Sequence, residues 1–308
     1  MANTFLTPDV IARQVLANLY ENLVMLPLVH TGYANEFSAK VGDTVNVRKP
    51  AVLTASLFDR ANGIQVQDAT ESSVPVKLDK IADVSLEITD ESALLELESM
   101  DAQIATPAAE ALAQFVDRAI IAHMKGAVTA VAGESTDVGF EWNKPEVLIE
   151  ADRLLNIKNV PTQRRHAVVG PTARANWLNS ELIKRADQSG STDALRQGSI
   201  GRNLFGFDAY MTQNIVQPAA SPATGQPTTE VGLAFHETSF AFTSVPLPRP
   251  LSSATSYAIE SYKGLSLRTT IDRDHAKKQD VISFDILYGV ATLDANRAVL
   301  LRGDLKNP

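Results

Sequence analysis

Residues 104–118 read Ile-Ala-Thr-Pro-Ala-Ala-Glu-Ala-Leu-Ala-Gln-Phe-Val-Asp-Arg. They are the centre of the longest helical pattern in the chain, Met100 to Lys125. Ile104, Ala108, Ala111, Leu112, Phe115, Ala119 and Ala122 recur at helical spacing, and Val116 and Ile120 widen the stripe. A continuous helix here would span about 39 Å at 1.5 Å per residue. Pro107 should kink it or mark its true start, because Thr106-Pro107 is a good cap pair. Ala is the strongest helix former, and its short side chain permits close approach of a sheet. Asp117 and Arg118 read as surface residues.

On the N-terminal side, Thr7-Pro8-Asp9 opens a shorter helix: a cap, a proline in the first turn, and an acid at the positive end of the dipole. Val10, Ile11, Val15, Leu16, Leu19 and Leu23 follow at helical spacing, and the helix should end before Pro27. Periodicity leaves two readings open, a docked terminal helix and an arm that packs on a neighbouring subunit. From Val41 to Leu86 the period changes to two. Val45 and Val47 alternate with Thr44, Asn46 and Arg48; Val74, Val76 and Leu78 alternate with Ser73, Pro75 and Lys77. Between these strands lies the weakly apolar stretch Lys49 to Ser72, with Asp59-Arg-Ala-Asn-Gly63 as a turn signal. A projecting two-stranded ribbon accounts for it better than a long structureless loop. A lone ribbon is marginal in water, so it needs another surface to lie on. Ile81 to Ile88 reads as a further strand. Thr89 then caps a short helix in which Glu96 and Glu98, interleaved with Leu94, Leu95 and Leu97, form a solvated face.

On the C-terminal side, Asn143-Lys144-Pro145 opens a helix through Leu148, Leu154 and Leu155. Arg165–Val169 is a short strand, and Gly170-Pro171-Thr172 leads into a helix containing Trp177. This alternation indicates an α/β unit. Ser189 to Gly201 reads as an exposed loop, Ala209 to Val216 as a strand, and Gln217 to Thr229 as a loop. Pro246, Pro248 and Pro250 mark an extended connector. Strands Ser256–Ile259, Leu265–Ile271, Val281–Val290 and Ala298–Leu301 close the chain, with a charged hairpin tip at Asp272–Asp280.

At 308 residues the chain exceeds the size of about 250–300 at which one core stops growing, so two packed subdomains are expected. With 44% hydrophobic and 21% charged residues the composition is globular. Net charge is −8, which removes the basic footprint of a duplex-DNA reader. There is no Cys, which excludes disulfides, thiolate chemistry and Cys-ligated metal. No signal peptide is expected, and no apolar run approaches the ~20 residues of a membrane span; a soluble cytoplasmic product is the simplest reading. The five His residues lack zinc-helix spacing. Asp272, Asp274 and His275 lack the closing Glu of a calcium loop. Gly198, Gly201 and Gly206 do not make a dinucleotide fingerprint, and neither a phosphate-binding loop nor a Gly-x-Ser-x-Gly elbow occurs. No enzyme site, cofactor or metal is expected.

Several segments, in order, resemble the major capsid protein of tailed bacteriophages with the Hong Kong 97 fold. Asp79-Lys-Ile-Ala-Asp-Val-Ser-Leu-Glu-Ile-Thr-Asp90 is similar to the strand and turn before that family's spine helix, and Ile104–Arg118 to the spine helix itself. Leu195-Arg-Gln-Gly-Ser-Ile-Gly-Arg-Asn-Leu-Phe-Gly-Phe-Asp-Ala-Tyr210 is the most specific match, to the loop and strand entering the axial domain's sheet. Leu233-Ala-Phe-His236 and Asp285-Ile-Leu-Tyr-Gly-Val290 are similar to later strands. The Pro-containing spine helix points to the podophage-type coat family.

The resemblance implies an α+β Hong Kong 97-type capsid fold. Its parts would be an N-terminal arm and lead-in (1–40), an extended β-ribbon loop (41–80), a peripheral domain with a long spine helix (81–127), an α/β axial domain (128–246), and C-terminal strands that return to the peripheral domain (247–308). It implies self-assembly as hexamers and pentamers into an icosahedral shell around double-stranded DNA, without sequence-specific binding or a membrane. Scaffolding, portal and decoration proteins would be partners. The protein would reside in the virion capsid and assemble in the host bacterial cytoplasm. The expected intersubunit contacts are Val10, Ile11, Val15 and Leu19 on the arm, and Val52, Leu53, Leu57, Phe58, Arg60, Ile64 and Val66 on the ribbon. Deleting Met1–Met25 is then expected to leave a folded subunit that assembles poorly. Two alternatives stay open: an encapsulin-like protein nanocompartment, and an α/β enzyme with a scattered active site.

Overall fold

The computed structural model describes residues 8–31, 44–49, 55, 60, 72–89, 105–180, 204–251 and 255–307. The elements begin with α1 (Pro8–Asn22), β1 (Thr44–Lys49), β2 (Ser72–Lys77), β3 (Lys80–Thr89) and α2 (Thr106–Ala127). The middle of the chain contributes β4 (Val131–Ala132), α3 (Val147–Ile157), β5 (Arg165–Val169), α4 (Pro171–Leu178), β6 (Asp208–Met211), β7 (Gly232–His236) and β8 (Phe240–Val245). It closes with β9 (Ser256–Tyr262), β10 (Leu265–Asp274), β11 (Gln279–Thr292) and β12 (Ala298–Leu301). The helix expected after Thr89, the Ser189–Gly201 loop, and residues 50–71 of the ribbon other than Ala55 and Arg60 lie outside the described residues.

Pro107 sits in the first turn of α2, where a missing N–H breaks no helical bond, so it opens the helix and does not kink it. The 22 residues of α2 give about 33 Å. Its buried arc is Ala108, Ala109, Leu112, Ala113, Val116, Asp117, Ile120, Ile121 and Met124. Ala111, Phe115 and Ala122, expected in the apolar stripe, face outward instead. The arc is rotated because α2 is covered on two sides, by α1 and by the strands β3 and β11. Asp117, expected at the surface, is fully buried inside that arc.

The first sheet is antiparallel, in the order β3-β11-β10-β9. Leu287 and Tyr288 of β11 pair with Ile81 and Lys80 of β3, and also with Val245 and Ser244 of β8. The two partners therefore lie on opposite edges of β11, and β8 continues the edge that β10 leaves at the pair Arg268–Asp285. Alternation does the sorting: Ile282, Phe284, Ile286 and Tyr288 enter the main core, while Leu287 on the opposite face joins Leu78, Val245 and Leu247. The turn from β9 to β10 is two residues, Lys263 at φ 46° and Gly264 at φ 82°, a pairing that matches the twist of a tight hairpin.

The second sheet has the order β4-β12-β7-β5-β6, with β12–β4 and β5–β6 parallel. One face adds Val168, Leu233, Phe235, Ala298 and Leu300 to the main core. The other packs Ala167, Val169 and Val299 against Leu148, Ala151 and Leu155 of α3 and Trp177 of α4. The two sheets thus share one core, with α1 and α2 in it, and the second sheet has a further core on its outer side.

The chain crosses between the sheets. The segment 247–308 supplies β9–β11 to the first sheet but β12 to the second, and β8 from the segment 128–246 joins the first sheet. Both crossing strands are buried along their whole length, Phe240–Val245 and Ala298–Leu301 alike. Such runs need cover on both faces, and β12 finds it between β4 and β7, where one core lies on each side.

Candidate assembly surfaces

The β1–β2 pair is rooted on the body. β1 and β2 pair in antiparallel register, Val47 opposite Val74 and Asn46 opposite Pro75. Val47 and Val76 bury their side chains against Ala241, Ala291 and Leu293. Beyond β2, Leu78 is wholly buried with Val245, Leu247 and Leu287. Backbone meets backbone at Gly289, where a Cβ would fall against the Lys77 carbonyl, with its carbon at 3.0 Å. Only glycine permits that approach. Arg60, the one expected ribbon contact among the described residues, is exposed; Val52, Leu53, Leu57, Phe58, Ile64 and Val66 lie outside them.

The arm helix α1 is docked on its own subunit. Ile11, Val15 and Leu19 are buried in the main core together with Leu16 and Leu23, so their apolar surface is already covered within one chain. Val10 points the other way and is 48% exposed. A clasp on the β9–β10 hairpin holds the outer side of the helix. Arg13 Nε lies 2.9 Å from Glu260 Oε1, the Tyr20 and Tyr262 rings meet edge to face at 5.4 Å, and Lys263 Nζ lies 4.7 Å from the centre of the Tyr20 ring. At the far end, Asp117 accepts hydrogen bonds from the backbone N–H groups of Val24 and Met25, each at 3.1 Å, and from Asn214 Nδ2 at 3.3 Å. Burial pushes the Asp117 carboxyl above the usual carboxylate range, against the opposing effect of those three donors.

Other features were hidden from sequence reasoning. Phe115 is 53% exposed on the outer face of α2. Ile157 at the end of α3, Val216 after β6 and Leu251 in the proline connector are also exposed apolar residues. Across the first sheet, Arg268 Nε donates to Asp285 Oδ2 at 3.0 Å, and Ser283 Oγ donates to Asp83 Oδ1 at 2.7 Å. Asp285 and Asp83 face each other in register. Burial holds Asp285 above the ordinary range; Asp83 is held below it, because hydrogen bonds from Ser283, Asp285 and Ser85 together outweigh its own burial. Among the described residues no three ligating side chains converge on a metal position. At the hairpin tip, Asp274 accepts from the N–H groups of Ala276 and Lys277 and so closes the turn.

A ribbon rooted on the body, a long helix beneath an antiparallel sheet, and a second mixed sheet flanked by helices define the class: shell-forming capsid proteins with the Hong Kong 97-type fold. Several solved structures resemble it. One from Mycobacterium phage Che8 matches with a TM-score of 0.66 at 22% identity, covering 90% of each chain. The capsid of cyanophage P-SCSP1u matches at 0.59 and 14% identity, covering 86% of this chain and 84% of that one. A virus-like particle from Pyrococcus furiosus matches at 0.52 and 12% identity, covering 95% and 97%. No curated protein sequence matches the chain. The family model described as "P22 coat protein - gene protein 5" matches residues 1–234, and the chain belongs to that family. It is a major capsid protein of a tailed phage, a structural protein of the virion capsid that assembles with copies of itself into a shell. The nanocompartment and enzyme alternatives are not favoured.

Proposed function

We propose that the chain assembles as hexamers and pentamers into a closed icosahedral shell that holds the double-stranded DNA genome. The membership in the coat-protein family carries this reading. The acidic balance of the chain, −8, supports enclosure of DNA without tight binding to it. The ribbon, with its root clamped by Val47, Val76 and Leu78, reaches over a neighbouring subunit. The outer face of α1 around Val10 meets another neighbour. Each contact is weak alone, and their number closes the shell. Assembly takes place in the host cytoplasm around a scaffolding protein, with portal and decoration proteins joining the shell.

Negative-stain microscopy of the purified chain, alone and with a scaffold protein encoded beside it, tests the proposal. Closed shells or rings of six and five subunits are expected in at least one condition. Uniform small particles in both would refute it.

A further inference from the structure

Asp117 stands where three parts of the chain meet. It belongs to α2, its Oδ1 and Oδ2 take the backbone N–H groups of Met25 and Val24 just past the arm helix, and Oδ2 also takes the side-chain amide of Asn214 in the loop after β6. The residue is fully buried. An apolar side chain would fill a buried position on α2 equally well, as Val116 and Ile120 do beside it. A carboxylate here satisfies two backbone donors that would otherwise be orphaned where the chain leaves α1. It also fixes the register of α1 on α2, since greasy surfaces slide and charge-assisted hydrogen bonds do not. The adjoining cleft is lined by Glu110 and Arg118 from α2, by Asn22 and Val24 from the arm, and by Thr212 and Asn214 from the β6 loop. The charged groups that line this cleft are thus both on α2.

We propose that Asp117 is a positioning residue for assembly: by locking the end of α1 to the long helix and to the second sheet's loop, it sets the angle at which the arm meets its neighbour. This rests on the reading of α1 as an assembly element. Asp117→Asn keeps the shape but turns an N–H donor toward one of the two backbone N–H groups. In the full-length Asn variant, amide hydrogen exchange at Val24 and Met25 should be about tenfold faster, corresponding to the loss of one hydrogen bond to a charged group. Closed shells should be fewer. Val116→Ala, at a buried apolar neighbour on the same helix, is the control for stability alone, and at a matched melting temperature it should still form shells. Asp117→Ser, which retains one acceptor oxygen, covers the case in which the Asn variant does not fold, with the same direction expected. Unchanged exchange at Val24 and Met25, normal shells despite faster exchange, or an equal loss of shells in Val116→Ala would each overturn the proposal. Val10→Asp separates it from the arm reading: that variant should lose shells with exchange at Val24 and Met25 unaltered, and normal shells from it would refute the arm reading instead.

Discussion

The β1–β2 root offers the sharpest test of the proposed role of the ribbon. In Gly289→Ala the new Cβ would lie 3.0 Å from the Lys77 carbonyl carbon, with the oxygen closer still. Carbon pairs rest at about 3.5–4.0 Å, so the two backbones must part by roughly half an ångström to one ångström. No side chain can rotate to relieve this. β11 is held by β3 on one edge and β8 on the other, so the end of β2 has to yield. That movement lifts Val76 and Leu78, both wholly buried, out of their contacts. Overpacking of this kind costs about 1–3 kcal/mol. The expected drop in melting temperature is a few degrees for a chain of this size. Shell formation should fall further than the melting temperature suggests, because the ribbon is re-aimed as well as loosened. Gly126→Ala is the control: nothing lies within 4 Å of its Cβ, and on α2 it should be neutral or stabilising by about 0.5–1 kcal/mol. Thermal unfolding and electron microscopy of both variants decide the matter. A Gly289→Ala protein that melts and assembles like the parent would show that the contact with Lys77 does not hold the root.

Gly170→Ala should destabilise the second sheet's outer core by about 1–3 kcal/mol, measured by thermal unfolding, because its Cβ would lie 2.6 Å from Glu230 Cδ. It would push away the carboxylate that accepts from Thr172 and Ala173 at the start of α4. Burial holds His123, His166 and His236 below the usual histidine range. A depressed folded pKa means that their contribution is intact above about 6.5 and is lost as pH falls toward the folded values, so the unfolding midpoint should decline from about pH 6.5 downward. His166→Gln should flatten that decline, and an unchanged pH profile would count against it. Val10→Asp should leave the unfolding free energy within about 0.5 kcal/mol of the parent, as an exposed substitution does, while reducing shell yield.

That last substitution replaces the deletion of Met1–Met25 as the test of the arm. The sequence pattern placed Ile11, Val15 and Leu19 on one face, but a stripe does not say whose surface covers it. Here the subunit itself covers it, so removing the segment would strip Leu16, Leu19, Leu23 and Met25 from the main core and unfold what it was meant to probe. Most elements were legible from local signals: Arg165–Val169 and Ala298–Leu301 fall where alternation and turn residues placed them, and Pro107 marks the start of α2 as one of its two readings required. Strand β8 was not read in the local pattern, because six consecutive buried residues carry no period of two. The outward turn of Phe115 was hidden for a related reason. Alanines on both sides of α2 make several stripes equally apolar, and only the tertiary arrangement of α1 and the first sheet selects one.

Asp117 shows the opposite case, a signal present and misread. A carboxylate one position after Val116 in an Ala-rich helix breaks the apolar pattern, and solvent is the ordinary explanation for such a break. The alternative needs donors that only the fold can bring: two backbone N–H groups about ninety residues away and an amide beyond β6. The same holds at Gly289, whose partner is the backbone of Lys77. In both places a long-range contact to a backbone group holds the end of an element, and neither contact leaves a periodic trace. The end of α1 and the root of the β1–β2 pair are therefore held from inside the subunit. Substitutions that alter assembly geometry should cluster at these two buried joints as well as at the contact surfaces themselves.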